Sequence, residues 1–165
     1  MLLYLIRHGI AADKADPAYP SDPERPLTKE GIQKTREAAR GLRALSIAPG
    51  AMLTSPYVRA VETAEIVAEA LKFGVRKIRR TEALVPGANP AGLFEELADL
   101  RAEEVLCFGH APHLDEVIAH ALGLRSPVTS LRKAGAACLD LGTVSPPKGI
   151  LEAVYEPKAL RVMRR

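Results

Sequence analysis

The sequence is poor in the residues that cross-link a fold or stack on flat ligands. Its 165 residues include two cysteines, no tryptophan, four tyrosines and three phenylalanines. Cys107 and Cys138 stand in the apolar segments VLCF and AACL, where a thiol usually packs as a small hydrophobic side chain. A disulfide scaffold is therefore excluded as the main source of stability. So few aromatic residues also argue against a surface that stacks nucleic-acid bases.

Long hydrophobic runs are absent as well. The first apolar stretch, residues 2–6, stops at Arg7 and is shorter than the roughly 7–15 residues of a signal-peptide core. No later stretch approaches the ~18 apolar residues that a membrane-spanning helix needs. We therefore expect a cytoplasmic protein with no membrane partner.

The charge balance is nearly even, with 23 Lys and Arg against 20 Asp and Glu, and the net charge of +3 is too small to predict a nucleic-acid partner. We interpret the two basic clusters as a solvated strand and a frayed tail rather than as a patch for an acidic partner. Their members are Arg76, Lys77, Arg79, Arg80, Arg161, Arg164 and Arg165. The length and the 47% hydrophobic content are typical of one globular domain spanning residues 1–165.

Apolar segments of strand length alternate with amphipathic segments along the chain. The predicted strands are residues 2–6, 51–54, 75–84, 104–108, 136–141 and 150–155. The predicted helices are residues 28–45, capped by Thr28, then about 55–71, capped by Ser55, and finally 90–100 and 114–122. Four prolines make residues 11–26 a long loop, which we expect to set substrate specificity. The alternation predicts an α/β, three-layer sandwich with a mostly parallel central sheet flanked by helices.

Polar side chains stand at or shortly after the ends of three of these strands. One strand is followed by Arg7 and His8, another by His110, and a third ends shortly before Arg59. Ligands of open α/β sheets bind beyond the carboxyl ends of the strands, so we expect both histidines to face one site. Because guanidinium groups match phosphate oxygens with two parallel hydrogen bonds, the set favours a phosphoryl ligand.

Four segments occur in an order that resembles the histidine phosphatase superfamily. They are RHG at 7–9, RPLT at 25–28 with Gly31, SPYVRA at 55–60 with Thr63 and Ala64, and GHAP at 109–112. The short chain and the RPLT segment look most like the phosphohistidine phosphatase (SixA-type) branch. The resemblance implies a phosphoglycerate mutase-like fold and a phosphorylated substrate, with a phosphohistidine-bearing protein as the favoured one.

The resemblance also implies roles for single residues. His8 would attack phosphorus and form a phosphohistidine intermediate that water then hydrolyses. Arg7, Arg59 and His110 would hold the three equatorial oxygens of the phosphoryl group, and Gly9 would add to substrate binding. This scheme needs no cofactor and no metal ion.

A metal site is the less favoured interpretation of one spacing. Cys107, His110 and His113 follow one another at intervals of three residues. Zinc sites need four ligands in closed geometry, however, and a cysteine within a strand need not point toward the histidines.

The general acid is the point at which this chain departs from the family. Members that act on phosphate esters often carry Glu directly after RHG, whereas this chain has Ile10, and the best downstream candidate is Glu82. A protonated phosphohistidine expels a neutral imidazole, whose reference pKa is ~6.5, so it needs no strong acid. The missing glutamate thus favours a phosphoramidate substrate.

Two alternatives stay open at this point. One is a phosphatase of small phosphate esters that uses Glu82 or the loop residue Asp13 as the acid. The other is a phosphate-binding module without turnover. Arg25 is equally consistent with a contact to phosphate and with pinning the proline-rich loop.

Overall fold

The computed structural model describes residues 1–163, which form one six-stranded sheet between two layers of helices. Arg164 and Arg165 of the expected basic tail lie outside the described residues. The strands are β1 (Leu2–Arg7), β2 (Ala51–Thr54), β3 (Arg79–Arg80), β4 (Glu104–Gly109), β5 (Ala136–Thr143) and β6 (Lys148–Tyr155). The helices are α1 (Lys29–Ala44), α2 (Val58–Leu71), α3 (Pro90–Ala98), α4 (His113–Ala121) and α5 (Pro157–Val162).

The strand order is β3-β2-β4-β1-β5-β6, and β5 runs antiparallel to both of its neighbours while the other strands share one direction. The prediction of a mostly parallel sheet is therefore confirmed. In the pairing of β1 with β4, Arg7 lies opposite Gly109, so the residues that follow the two strands emerge side by side. This register brings His8 and His110 to the same edge of the sheet.

Alternate side chains of each central strand face opposite helical layers. Leu3 and Leu5 of β1 pack with α3 and α4, whereas Tyr4 and Ile6 pack with α1, α2 and α5. Strand β4 repeats the pattern, and the central strands are buried on both faces, as parallel strands between helices must be. The three-layer sandwich predicted from the sequence is thus confirmed.

The start of α1 follows the sequence prediction, and the start of α2 does not. Thr28 caps α1 by accepting a hydrogen bond from the backbone N–H of Gly31. The second helix begins at Val58, three residues after Ser55, so the expected cap at Ser55 is wrong. The Ser55 hydroxyl instead lies 2.9 Å from a ring nitrogen of His110. The same hydroxyl accepts a hydrogen bond from the N–H of Tyr57, the residue before α2, and caps no N–H within the helix.

The predicted basic strand at residues 75–84 is confirmed only at Arg79–Arg80 and is wrong for the rest of the segment. The segment holds a 3-10 turn at Val75–Lys77, the two-residue strand β3 and a second 3-10 turn at Glu82–Leu84. Only two residues pair with β2 at this edge of the sheet, and the segment's buried side chains, Thr81 and Leu84, stand three apart. That spacing suits a turn rather than an extended strand. Helix α5 is not predicted from the sequence. In the described part of the chain no helix is long and apolar enough to cross a membrane.

Candidate active site

His8 directly follows β1, and its hydrogen bonds define which ring nitrogen carries the proton. Nδ1 lies 2.7 Å from the carbonyl oxygen of Gly9, and Nε2 lies 3.3 Å from Nε of Arg59. A guanidinium can only donate, so Nε2 must be the unprotonated acceptor and Nδ1 must carry the proton that it donates to Gly9. The ring is therefore held as a neutral imidazole with its lone pair on Nε2.

The surroundings of His8 favour this neutral form. The side chain is buried, and burial is the largest of the effects that bring its pKa down from 6.5 to about 3. The hydrogen bond to Gly9 opposes the shift, whereas the positive charges of Arg59 and Arg7 add to it. At neutral pH the imidazole is a nucleophile that needs no base to deprotonate it.

His110 follows β4 and lies beside His8, with 5.1 Å between the two ring centroids. Its Nε2 lies 2.9 Å from the Ser55 hydroxyl, and among the described residues its Nδ1 has no hydrogen-bond partner. Burial, followed by the nearby His8 and Arg59, lowers its pKa to about 3. The two strand ends predicted to converge do so.

Arg59 lies in the first turn of α2, with each guanidinium nitrogen engaged. Nε donates to His8, Nη1 donates to the backbone oxygen of Asp22 at 2.7 Å, and Nη2 donates to the Asp22 carboxylate at 3.0 Å. Burial alone would raise the pKa of Asp22, but hydrogen bonds from Arg25 and Arg59 outweigh it and hold that pKa below its usual value. Asp22 thus carries a negative charge beside Arg59.

Asp22 is not predicted from the sequence, because Arg59, the partner that brings it to the site, lies 37 residues away in a different element. The signal that could have found it is its place three residues before Arg25 in a loop expected to cover the site. Arg25 binds the Asp22 carboxylate at 2.6 Å and also donates to the carbonyl oxygen of Ala12 at 2.6 Å. Arg25 therefore pins the loop, and it also lines the cavity described below.

Arg7 is the last residue of β1 and directly precedes His8. Its Nη1 donates to the carbonyl oxygen of Leu131 at 2.8 Å, and its Nε has no partner in the described structure. Burial lowers the pKa of both Arg7 and Arg59, which nevertheless stay charged at neutral pH because arginine starts so far above it. Two fixed positive charges therefore flank His8.

These side chains line an open cavity of about 520 Å³. Arg7, His8, Arg59 and His110 all contribute to its wall, as does Asp13, the alternative acid named from the sequence. Lys14, Asp22 and Lys133 also line it and are not predicted from the sequence. Glu82 is exposed and does not line it, so its role as general acid stays a prediction.

Gly9 supports the cavity without being part of its wall. Its N–H donates to the hydroxyl of Thr63 at 3.0 Å, and a Cβ at this position would collide with Oγ1 of Thr35. The close approach of α1 and α2 behind His8 explains why a glycine stands here. A direct contact of Gly9 with substrate remains a prediction.

The Cys-His-His spacing does not form a metal cluster in this fold. Cys107 is buried in the core layer of α3 and α4, and Nε2 of His113 lies 2.9 Å from the carbonyl oxygen of Ala83. Over residues 1–163 no group of three or more His, Cys, Asp or Glu side chains could hold a metal ion.

Comparisons with known proteins agree with this geometry. The model of the histidine phosphatase superfamily (branch 1) matches residues 3–85. An uncharacterised protein of Picosynechococcus is 37% identical over 146 residues, which are 86% of this chain and 86% of that protein. A phosphohistidine phosphatase SixA homolog of Haemophilus influenzae is 30% identical over 138 residues, 78% of this chain and 82% of that protein.

A solved structure extends the likeness to almost the whole chain. The structure of the protein histidine phosphatase SixA complexed with tungstate superposes with a TM-score of 0.84 at 25% identity, covering 97% of this chain and 99% of that one. The match to the superfamily model spans the RHG, RPLT and SPYVRA segments. The chain therefore belongs to the histidine phosphatase superfamily.

Proposed function

We propose that the protein removes the phosphoryl group from phosphohistidine on a protein substrate through a covalent intermediate on His8. The observation that carries this proposal is the state of the His8 ring, whose Nε2 is unprotonated and lies beside Arg59 in a cavity that Arg7 also lines. The relatives named as phosphohistidine phosphatases support the choice of substrate.

In the first step Nε2 of His8 attacks phosphorus, and the bond from phosphorus to the substrate nitrogen breaks. Arg7, Arg59 and His110 bind the equatorial oxygens, where negative charge spreads in the transition state. The leaving imidazole carries a proton on its other nitrogen and departs as a neutral molecule. In the second step water attacks phosphorus, the bond to His8 breaks, and phosphate is released with the ring neutral again.

The substrate proposal also fits the acid groups in the cavity. Asp22 is held ionised by Arg25 and Arg59, so it is a poor proton donor at neutral pH. An imidazole leaving group makes such a donor unnecessary, since its reference pKa of ~6.5 lies near the working pH.

The covalent intermediate gives the first test. The protein is mixed briefly with labelled phosphohistidine peptide and quenched, and we expect acid-labile, alkali-stable phosphate on His8. The His8→Ala variant is expected to lose both the label and at least about a thousandfold in kcat/KM, because no other group can form the bond. His120→Ala removes an exposed histidine outside the cavity and is expected to label normally. A near-normal rate in His8→Ala would refute the mechanism.

A second candidate function is hydrolysis of small phosphate esters, and one observation favours it. Asp13 is an exposed carboxylate on the cavity wall, where it could protonate an ester oxygen. The kcat/KM values for a phosphohistidine peptide and for a panel of phosphate esters separate the two functions. If esters are the better substrates and Asp13→Asn or Glu82→Gln slows only them, the ester function is correct. Binding of vanadate with no hydrolysis of any substrate would instead identify a phosphate-binding module.

A further inference from the structure

A second cavity, of about 660 Å³, adjoins the first. Arg7 and Lys133 line both, so a ligand that reaches across these two side chains occupies both cavities at once. The remaining wall comes from α1, from the segment before β5 and from α5.

The wall of the second cavity is strongly basic. Six of its lining residues are cations and one, Glu156, is an acid, whereas the whole chain carries a net charge of only +3. The cations are Arg7, Lys34, Arg132, Lys133, Lys158 and Arg161. Cations from four separate parts of the chain thus converge on one concave surface.

Most of this charge is not neutralised by the protein itself. Lys34 forms an ion pair with Glu30, and Nε of Arg161 lies 3.8 Å from Oε2 of Glu37. Over residues 1–163, Arg132, Lys133 and Lys158 have no carboxylate within ion-pair distance. A concave site with several unpaired cations concentrates anions, since the low-dielectric walls focus the field.

We infer that the second cavity is a binding subsite for a further anionic group, carried next to the phosphoryl group that occupies the first cavity. The ligand chemistry is a cluster of oxyanions, either carboxylates flanking the phosphorylated residue of a substrate or the phosphates of a free polyanion. The shared wall of Arg7 and Lys133 couples the two cavities. The subsite contributes to binding and takes no part in bond making, so it acts on KM rather than on kcat.

The first arm of the test measures binding without catalysis and uses inorganic tripolyphosphate as the probe. The first cavity is saturated with vanadate, and the backbone amide signals of Thr35 and Ala134, which line only the second cavity, are followed by NMR. We expect saturable shifts whose Kd rises about tenfold in Arg132→Ala/Lys158→Ala, the effect of losing two partly screened contacts. The matched control, Arg76→Ala/Lys77→Ala, removes the same charge from an exposed turn and is expected to change Kd less than about twofold.

The second arm identifies the source of the anion. The kcat/KM values of wild type and of both double variants are compared on a histidine-phosphorylated peptide flanked by glutamates and on its glutamine twin. A preference for the acidic peptide that disappears through KM in Arg132→Ala/Lys158→Ala, and persists in the control variant, assigns the subsite to substrate side chains. Tripolyphosphate binding without a peptide preference assigns it to a free polyanion.

Absence of both effects overturns the inference. Equal losses in the two double variants overturn it as well, because they would reflect net charge rather than the cavity. If neither peptide is hydrolysed, the proposed function fails, while the tripolyphosphate arm still tests the subsite by itself.

Discussion

At the scale of single residues, the position of Arg7 depends on a carboxylate that does not line the cavity. Asp115 is buried and accepts hydrogen bonds from the Leu131 N–H at 3.0 Å and from the Thr129 hydroxyl at 2.7 Å. The carbonyl oxygen of Leu131 in turn accepts from Arg7. Asp115 is therefore a positioning residue, because it fixes Leu131, whose carbonyl oxygen fixes the Arg7 guanidinium.

Asp115→Ala is expected to weaken vanadate binding and to lower kcat/KM about tenfold, because Arg7 loses its fixed acceptor. It also leaves the Leu131 N–H buried without a partner, which costs about 1–3 kcal/mol of unfolding free energy. Vanadate titration and urea unfolding measure the two effects. Thr129→Val removes the other hydrogen bond to Asp115 and is expected to lower stability while leaving vanadate affinity unchanged. Equal vanadate affinity in Asp115→Ala and wild type would contradict the positioning role.

At the scale of elements, the loop of residues 11–26 is tied to the site through Asp22. The carboxylate bridges Arg25 of the loop and Arg59 of α2, so loop closure and the orientation of Arg59 depend on the same group. It also occupies a guanidinium nitrogen that an incoming phosphate can use. Loop and phosphate therefore compete for Arg59.

Asp22→Asn is expected to tighten inhibition by phosphate severalfold, because the neutral amide competes less well for Arg59. The loop itself should become more mobile, with faster amide exchange across residues 11–26. Asp13→Asn removes the same charge from the same cavity wall but no salt bridge, and it reports the purely electrostatic part of the effect. Weaker phosphate inhibition in Asp22→Asn than in Asp13→Asn would show that the carboxylate organises the site rather than competing for it.

A second element, helix α5, forms part of the wall of the second cavity and packs closely against α1. A Cβ on Gly41 of α1 would collide with the backbone carbonyl of Leu160 in α5. Gly41→Ala is therefore expected to lower the unfolding free energy by about 1–3 kcal/mol. Gly92→Ala in α3 meets no atom within 4 Å and is expected to be neutral or to gain about 0.5–1 kcal/mol. Urea unfolding of both variants distinguishes the close helix contact from a general intolerance of glycine replacement.

At the scale of the whole molecule, two buried neutral histidines link stability to pH. The pKa values of His8 and His110 are about 3 in the folded protein, against ~6.5 in an unfolded chain. Between these values the unfolded state binds more protons, so the unfolding free energy rises with pH up to ~6.5 and is lost as the pH falls from there toward 3. Above ~6.5 neither histidine adds any pH dependence.

Urea unfolding between pH 4 and pH 8 measures this dependence. The slope below pH ~6 is expected to approach about 1.4 kcal/mol per pH unit for each histidine. The variant His8→Asn/His110→Asn is expected to lose that part of the slope and to keep the part that other groups contribute. The same slope in the variant and the wild type would mean that these rings are not held neutral.

Much of the fold and the centre of the site could be predicted because local patterns determine them. The apolar runs before Arg7 and Gly109 predicted two strands of a mostly parallel sheet whose following residues face one site. The pairing of β1 with β4 then brings His8 and His110 together. Thr28 predicted the start of α1 from a capping preference that needs no tertiary contact.

The parts that were missed depend on contacts between distant residues. Asp22 becomes part of the site only when α2 places Arg59 against the loop. Ser55 does not cap α2 but contacts His110, which lies 55 residues further along the chain and follows β4. The segment at residues 75–84 lies at an edge of the sheet. Only Arg79 and Arg80 pair with β2 there, so the rest of this strand-like segment does not form a strand.

The direction of strand β5 determines which connecting segment of the chain reaches the cavities. In a wholly parallel sheet, only the loops that leave the strands can reach the ligand edge. Because β5 runs the other way, its first residue lies at that edge beside Ile6, and the chain arrives at the ligand before it enters the strand. The approach to β5 thereby supplies Lys133 to both cavities, Arg132 to the second cavity, and the Leu131 carbonyl oxygen that binds Arg7. Changes in that incoming connection can reshape ligand recognition while the hydrogen-bond register of all six strands stays the same.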